Sequence, residues 1–210
     1  MEIQTAEFLK SSAHPSECPP EDRPEYAFIG RSNVGKSSLI NMLTNRNALA
    51  KISSTPGKTQ LINHFVIDAD REVDGVSKSW YLVDLPGFGY AKVSKESRVK
   101  WQRTSEQFLS GRKNLMCVMM LVDSRHEAQK VDLDFMAWLG ENQIPFVLIF
   151  TKVDKLNLTE RESFLSRYEE VMLQQWHRMP PVYITSAEKK QGREELLRFI
   201  EQTNALFEVQ

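Results

Sequence analysis

Residues Gly30-Arg31-Ser32-Asn33-Val34-Gly35-Lys36-Ser37 set two glycines five positions apart and follow the second with a lysine and a serine. That spacing suits a backbone wrapped around phosphate. Glycines let the chain fold tightly enough for successive N–H groups to converge on a β-phosphate. Lys36 adds a mobile cation toward the β- and γ-phosphates, and the Ser37 hydroxyl can ligate Mg²⁺. The flanks agree, because Tyr26-Ala27-Phe28-Ile29 reads as a short apolar strand entering the loop and residues 37–46 read as the helix leaving it. Taken alone, the loop still allows a glycine turn with an incidental lysine.

Strand-like and helix-like segments alternate beyond it. Strands are expected at 26–29, 63–68, 79–84, 115–122, 146–150 and 182–185, and helices at 37–46, 95–110, 130–142, 159–176 and 192–206. The runs at 115–122 and 146–150 are apolar without alternation, as parallel strands covered on both faces should be. Strands 63–68 and 79–84 are separated by a polar stretch containing Gly75 and suit an antiparallel pair. The expected fold is α/β, a three-layer P-loop NTPase with a mostly parallel six-stranded sheet flanked by helices. Ligands in such folds sit at the carboxyl ends of the strands, where residues 30–37 fall. Four of the nine prolines lie in 11–24, which marks residues 1–24 as an N-terminal arm and 25–210 as a single domain.

Bulk properties narrow the partners. The chain of 210 residues carries a formal net charge of −1, so its overall field makes no case for DNA or a membrane. Cys18 and Cys117 are the only cysteines, and Cys117 lies inside an apolar run, which argues against a disulfide framework. No apolar run reaches the roughly 20 residues that span a bilayer, and the N-terminus lacks the pattern of a secretory leader. A cytoplasmic monomer is expected.

Further motifs close other strands. Asp84-Leu85-Pro86-Gly87 follows strand 79–84; Asp84 can hold Mg²⁺ through water, and the Gly87 N–H can approach a γ-phosphate. By itself such a turn is common. Thr151-Lys152-Val153-Asp154 follows strand 146–150. One carboxylate can accept from both N1–H and N2–H₂ of guanine, whereas adenine presents an acceptor at N1, so Asp154 reads as the residue selecting guanine. The stem of Lys152 can pack along the base. Thr185-Ser186-Ala187 follows the last strand, where small residues let backbone N–H groups reach the guanine O6. Between the first helix and strand 63–68, Gly57, Lys58, Thr59, Gln60 and Leu61 form a candidate switch segment. There Thr59, or alternatively Thr55, would reach the metal only when a γ-phosphate is present.

In order and spacing these five segments resemble the G1 to G5 motifs of Ras-like, translation-factor-class GTPases. Residues 30–37, Pro56-Gly57-Lys58-Thr59-Gln60, Asp84-Leu85-Pro86-Gly87-Phe88-Gly89-Tyr90-Ala91 and Val122-Asp123-Ser124-Arg125-His126 are similar to the EngB (YihA/YsxC) family of bacterial GTPases. The resemblance implies a Ras-like G domain, GTP/GDP and Mg²⁺ as ligands, a role in assembly of the large (50S) ribosomal subunit, and an association with cell division and septation. Lys36, Thr59 and Gly87 are the catalytic candidates, and Ser37, Thr59 and Asp84 the metal ligands.

Phe88 stands where efficient Ras-like switches carry a water-orienting glutamine, and a phenyl ring makes no hydrogen bond to water. Slow intrinsic turnover, stimulated by a partner or an ion, is the consequence. Asn33 resembles the loop asparagine of potassium-activated GTPases, so K⁺ is a candidate cofactor; a side chain bracing the loop is the alternative. Residues 92–113 hold Lys92, Lys95, Arg98, Lys100, Arg103, Arg112 and Lys113 around Trp101, a pattern suited to ribosomal RNA, although a solvated helix face with a buried Trp is the default for such a run. Two other classes remain open. One is a small-molecule phosphotransferase, which leaves Asp154 unexplained; the other is a GTP-liganded binding module with negligible turnover.

Overall fold

A computed structural model of the chain describes residues 2–50, 61–69, 71–73, 75–88 and 95–208, without the side chains of 76, 95, 97, 98, 100 and 101. Nine strands and five α-helices lie within these residues. The strands are β1 (Ala6–Ser12), β2 (Glu25–Gly30), β3 (Ile62–Ile67), β4 (Glu72–Val73), β5 (Val76–Ser77), β6 (Trp80–Asp84), β7 (Leu115–Asp123), β8 (Phe146–Thr151) and β9 (Val182–Ile184). The helices are α1 (Lys36–Thr44), α2 (Lys95–Gly111), α3 (Lys130–Glu141), α4 (Leu158–Leu173) and α5 (Arg193–Asn204).

Seven strands form one sheet in the order β1-β3-β6-β2-β7-β8-β9, against an expectation of six. The antiparallel pairing of β3 with β6 is as expected, with Asn63 opposite Asp84, and the polar segment after β3 holds the small β4-β5 hairpin. The additional strand is β1, inside the stretch read as an irregular arm. It pairs antiparallel with β3 and bulges at Leu9. Its entry is fixed by Asp68, whose Oδ1 accepts hydrogen bonds from the Gln4 and Thr5 N–H groups at 2.7 and 2.9 Å. As an edge strand it leaves most of its side chains in solvent, so no apolar alternation announces it.

β2 explains the layering. Tyr26 and Phe28 face one side with Leu39, Ile40 and Leu43 of α1 and Leu196, Leu197 and Ile200 of α5. Ala27 and Ile29 face the other with Phe108 of α2, Phe135 and Met136 of α3, and Phe164 and Tyr168 of α4. Period-two alternation on a strand buried on both faces thus feeds two cores. Phe28 has no exposed surface, and truncating it to alanine would cost about 3–5 kcal/mol. Because β6 and β7 run parallel to β2 on either side, the loop leaving β2 opens over the crevice where the strand order reverses.

Candidate nucleotide-binding site

At the end of β2, a Cβ on Gly30 would stand 2.7 Å from the Leu121 carbonyl oxygen, so no side chain fits. Gly35 caps α1 with φ of 103°, a left-handed conformation that strains an L-residue. Between them Asn33 also has positive φ (61°), which asparagine tolerates better than most. Its side chain is exposed while its carbonyl accepts from Lys152 Nζ at 2.6 Å. The Val34 carbonyl accepts from Thr151 Oγ1 at 2.6 Å. β8 therefore braces the phosphate loop from behind and leaves its mouth open.

Lys36, the first residue of α1, rests its ammonium on the Asp84 carboxylate at the end of β6. Burial pulls the Lys36 pKa down to about 7, a tendency that contact with the carboxylate opposes. Ser37, in the first turn of α1, and Asp84 are hard oxygen donors of the kind Mg²⁺ takes. The ammonium against Asp84 shows that this carboxylate already faces a cation. Leu85, Pro86 and Gly87 are buried, and the turn is stitched to the phosphate loop: Phe88 N–H donates to Gly30 O and Ser32 N–H to Phe88 O, both at 3.2 Å. The Phe88 ring packs 5.1 Å from that of Phe135 on α3, which in turn stacks on Trp138. Gly57, Lys58, Thr59 and Gln60, with the alternative Thr55, lie outside the described residues; Leu61 is exposed at the entrance to β3.

The opposite end of the site is a cleft of about 200 Å³ lined by Gly35, Thr151, Lys152, Asp154, Thr185 and Ala187 among others. Asp154 is held from two sides, its Oδ1 accepting from Ser186 Oγ at 2.5 Å and its Oδ2 pairing with Lys155 at 3.0 Å. Burial raises its carboxyl pKa, but these bonds outweigh burial and hold it below the ordinary value. The carboxylate is thus aimed and ionised. Thr185 ties β9 to β8 through Phe150 O, and Ser186 N–H is committed to Gln191 O.

Three positions carry more than the sequence suggested. Asp123, at the end of β7, accepts from Lys152 Nζ at 2.8 Å and from Arg125 Nε and Nη2 at 2.9 and 2.8 Å. Burial pushes its pKa up, yet the Arg125 and Lys152 bonds prevail and bring it to about 2. Ser186 orients Asp154 with its hydroxyl, and Asp132 of α3 reaches Arg31 in the phosphate loop. A signal existed for Asp123, since it ends an apolar strand just as Asp84 does. Arg112, by contrast, leaves the basic stretch: it lies inside, bidentate on the fully buried Glu25 at 2.9 Å, because a carboxylate in the sheet needs a counter-charge. Arg103 and Lys113 stay exposed; Lys92 and the side chains of Lys95, Arg98, Lys100 and Trp101 are outside the described residues.

Strand order, phosphate loop and base cleft define a P-loop GTPase, and residues 25–152 match the family model of the 50S ribosome-binding GTPases. A protein of Porphyromonas gingivalis described as a probable GTP-binding protein EngB is 51% identical over 204 residues, 97% of this chain and 97% of its own. A namesake from Christiangramia forsetii is 50% identical over 204 residues, 97% of this chain and 98% of its own. The chain belongs to the EngB family of GTP-binding proteins. A crystal structure of a probable EngB superposes with a TM-score of 0.62 at 26% identity, covering 87% of this chain and 100% of that one. Era in complex with MgGDPNP and a segment of 16S ribosomal RNA shares the fold, with a TM-score of 0.67 at 20% identity over 87% of this chain and 57% of Era. Among the described residues no helix is long and apolar enough to cross a membrane.

Proposed function

We propose that the chain is a slow, Mg²⁺-dependent GTP switch acting in assembly of the large ribosomal subunit in the cytoplasm, on which normal cell division and septation depend. The observation that carries the switch reading is the contrast at its two ends: Asp154 is held by Ser186 at the base cleft, while Phe88 is packed on Phe135 instead of presenting a hydrogen-bonding group to water. The ribosomal direction rests on the family's description as 50S ribosome-binding and on Era's bound ribosomal RNA. Residues 25–210 act as the GTP-binding domain, with 1–24 as an arm whose β1 extends its sheet.

In this reading Lys36 exchanges Asp84 for the β- and γ-phosphates when GTP arrives. Ser37, Asp84 through water, and Thr59 would hold Mg²⁺, which when bound would supply neutralisation of the charge developing on the phosphates. Gly87 donates its N–H to the γ-phosphate. Asp154 accepts from the guanine edge, Lys152 packs along its plane, and the Ala187 N–H serves O6. Asn33 offers its exposed side-chain oxygen to K⁺. Replacing K⁺ with Na⁺ should slow turnover, and Asn33→Ala should erase the difference; a difference that persists in the variant removes the ion from Asn33.

The binding-module reading draws on the same Phe88. GTP turnover and co-sedimentation with isolated large subunits separate the two. A ribosomal switch binds more tightly with a GTP analogue than with GDP, weakens steeply as salt rises, and turns over faster with subunits present. Equal sedimentation with both nucleotides and no stimulation would leave only a GTP-liganded module.

A further inference from the structure

Two residues of α3 reach the seam between the phosphate loop and the turn after β6. Asp132 is 1% exposed, and its Oδ2 accepts from Arg31 Nε at 3.1 Å. Phe135 lies three residues on, hence on the same helix face, and packs against Phe88. Arg31 and Phe88 face one another in an isolated bridge, with Phe88 N–H bonded to Gly30 O and Ser32 N–H to Phe88 O. One face of one helix therefore grips both strands of the seam, Arg31 by charge and Phe88 by ring contact. Gly87, whose N–H would meet the γ-phosphate, precedes this seam by one residue.

Asp132 is an expensive way to hold a helix to a sheet. Among the described residues its Oδ1 has no hydrogen-bond partner, and neither does the hydroxyl of Tyr168, a buried α4 residue close enough to feel the charges of both Asp132 and Arg31. Burial pushes the Asp132 carboxyl up to about 6 despite the neighbouring guanidinium. Apolar replacement of a buried ion pair is often neutral or stabilising, so packing gives no reason for a carboxylate here. Its distinctive contact is with Arg31.

We propose that Asp132 is a positioning residue for GTP hydrolysis, acting through Arg31 to keep the phosphate loop in register with the Gly87–Phe88 turn. Register at this seam concerns the γ-phosphate. A displacement of about 1 Å at a reacting centre can cost around 10²-fold in rate. GDP has no γ-phosphate, and its affinity rests on the loop amides, Lys36 and the base cleft.

The test compares Asp132→Ala, Asp132→Asn, Asp132→Leu, Arg31→Ala and the Asp132→Ala/Arg31→Ala double variant. Each is measured for kcat, KM, and affinity for GDP and for a non-hydrolysable GTP analogue. Asp132→Ala should lower kcat roughly tenfold and weaken the analogue, with GDP affinity held within about twofold. Asp132→Asn, which keeps an acceptor for Arg31, should recover most of the rate. Asp132→Leu fills the site without an acceptor and so separates lost volume from the lost contact; it should turn over as slowly as Asp132→Ala. The double variant should be no slower than Arg31→Ala, because residues acting through one contact are not additive. Additive losses, equal weakening of GDP and analogue, or a Leu variant as fast as the parent would each overturn the assignment.

Discussion

Of the lysine–aspartate pairs at the carboxyl edge of the sheet, Lys152–Asp123 and Lys36–Asp84 work in opposite ways. Lys152 is fixed between Asp123 at 2.8 Å and the Asn33 carbonyl at 2.6 Å, and Asp123 is further locked by Arg125. Lys36 lies on Asp84 across the seat that the phosphates would fill. In the proposed function, forming the nucleotide complex would leave the first pair intact and break the second. The base end is therefore built before the nucleotide arrives, whereas the phosphate end holds its cation on an internal substitute. Preorganisation at one end favours affinity for any guanine nucleotide, and rearrangement at the other lets the γ-phosphate make a difference.

The largest effect expected from this contrast is at Asp84. Asp84→Ala removes the resting partner of Lys36 and, in the proposed function, a metal ligand, so kcat should fall about 10²-fold or more, a loss of several kcal/mol of charge stabilisation. GDP affinity measured in chelator should stay within about threefold, because the freed ammonium no longer has to leave a carboxylate. Single-turnover hydrolysis and a fluorescent-GDP titration check the two halves. A collapse of metal-free GDP binding would show that Asp84 is part of a preorganised site after all.

The same contrast bears on what could be read before the structure. The placement of the phosphate loop, Asp84, Gly87 and Asp154 at the carboxyl edge was legible because each ends or closely follows a strongly apolar strand. β1 was not, because Phe8 and Leu9 are exposed on an edge and its hold on the sheet comes from backbone bonds to Asp68. Asp132 was hidden for another reason. An acidic residue in the first turn of a helix ordinarily faces solvent, where it complements the helix dipole. Nothing local distinguishes it from one turned inward onto Arg31, 101 positions away in sequence. Arg112 shows the reverse error, a member of a basic run drawn inside by Glu25. Long-range pairing of charge decides these positions, and a linear pattern does not contain it.

A smaller effect is expected at the prebuilt end, and its pH dependence separates the two pairs. Asp123→Ala should weaken GTP analogue and GDP alike by about tenfold, the worth of one charge-assisted hydrogen bond, with no dependence on Mg²⁺. Its carboxyl titrates at about 2 in the folded chain against 3.8 for the free group. A depressed acid contributes stability that is complete above the unfolded value and is lost as pH falls through the folded one. The urea-midpoint gap between parent and Asp123→Ala should therefore be constant above about pH 4 and shrink between about 4 and 2. A gap that is undiminished at pH 2 would mean that the carboxylate's charge on Arg125 and Lys152 contributes nothing to it, and the two lysines would differ in geometry but not in electrostatic anchoring.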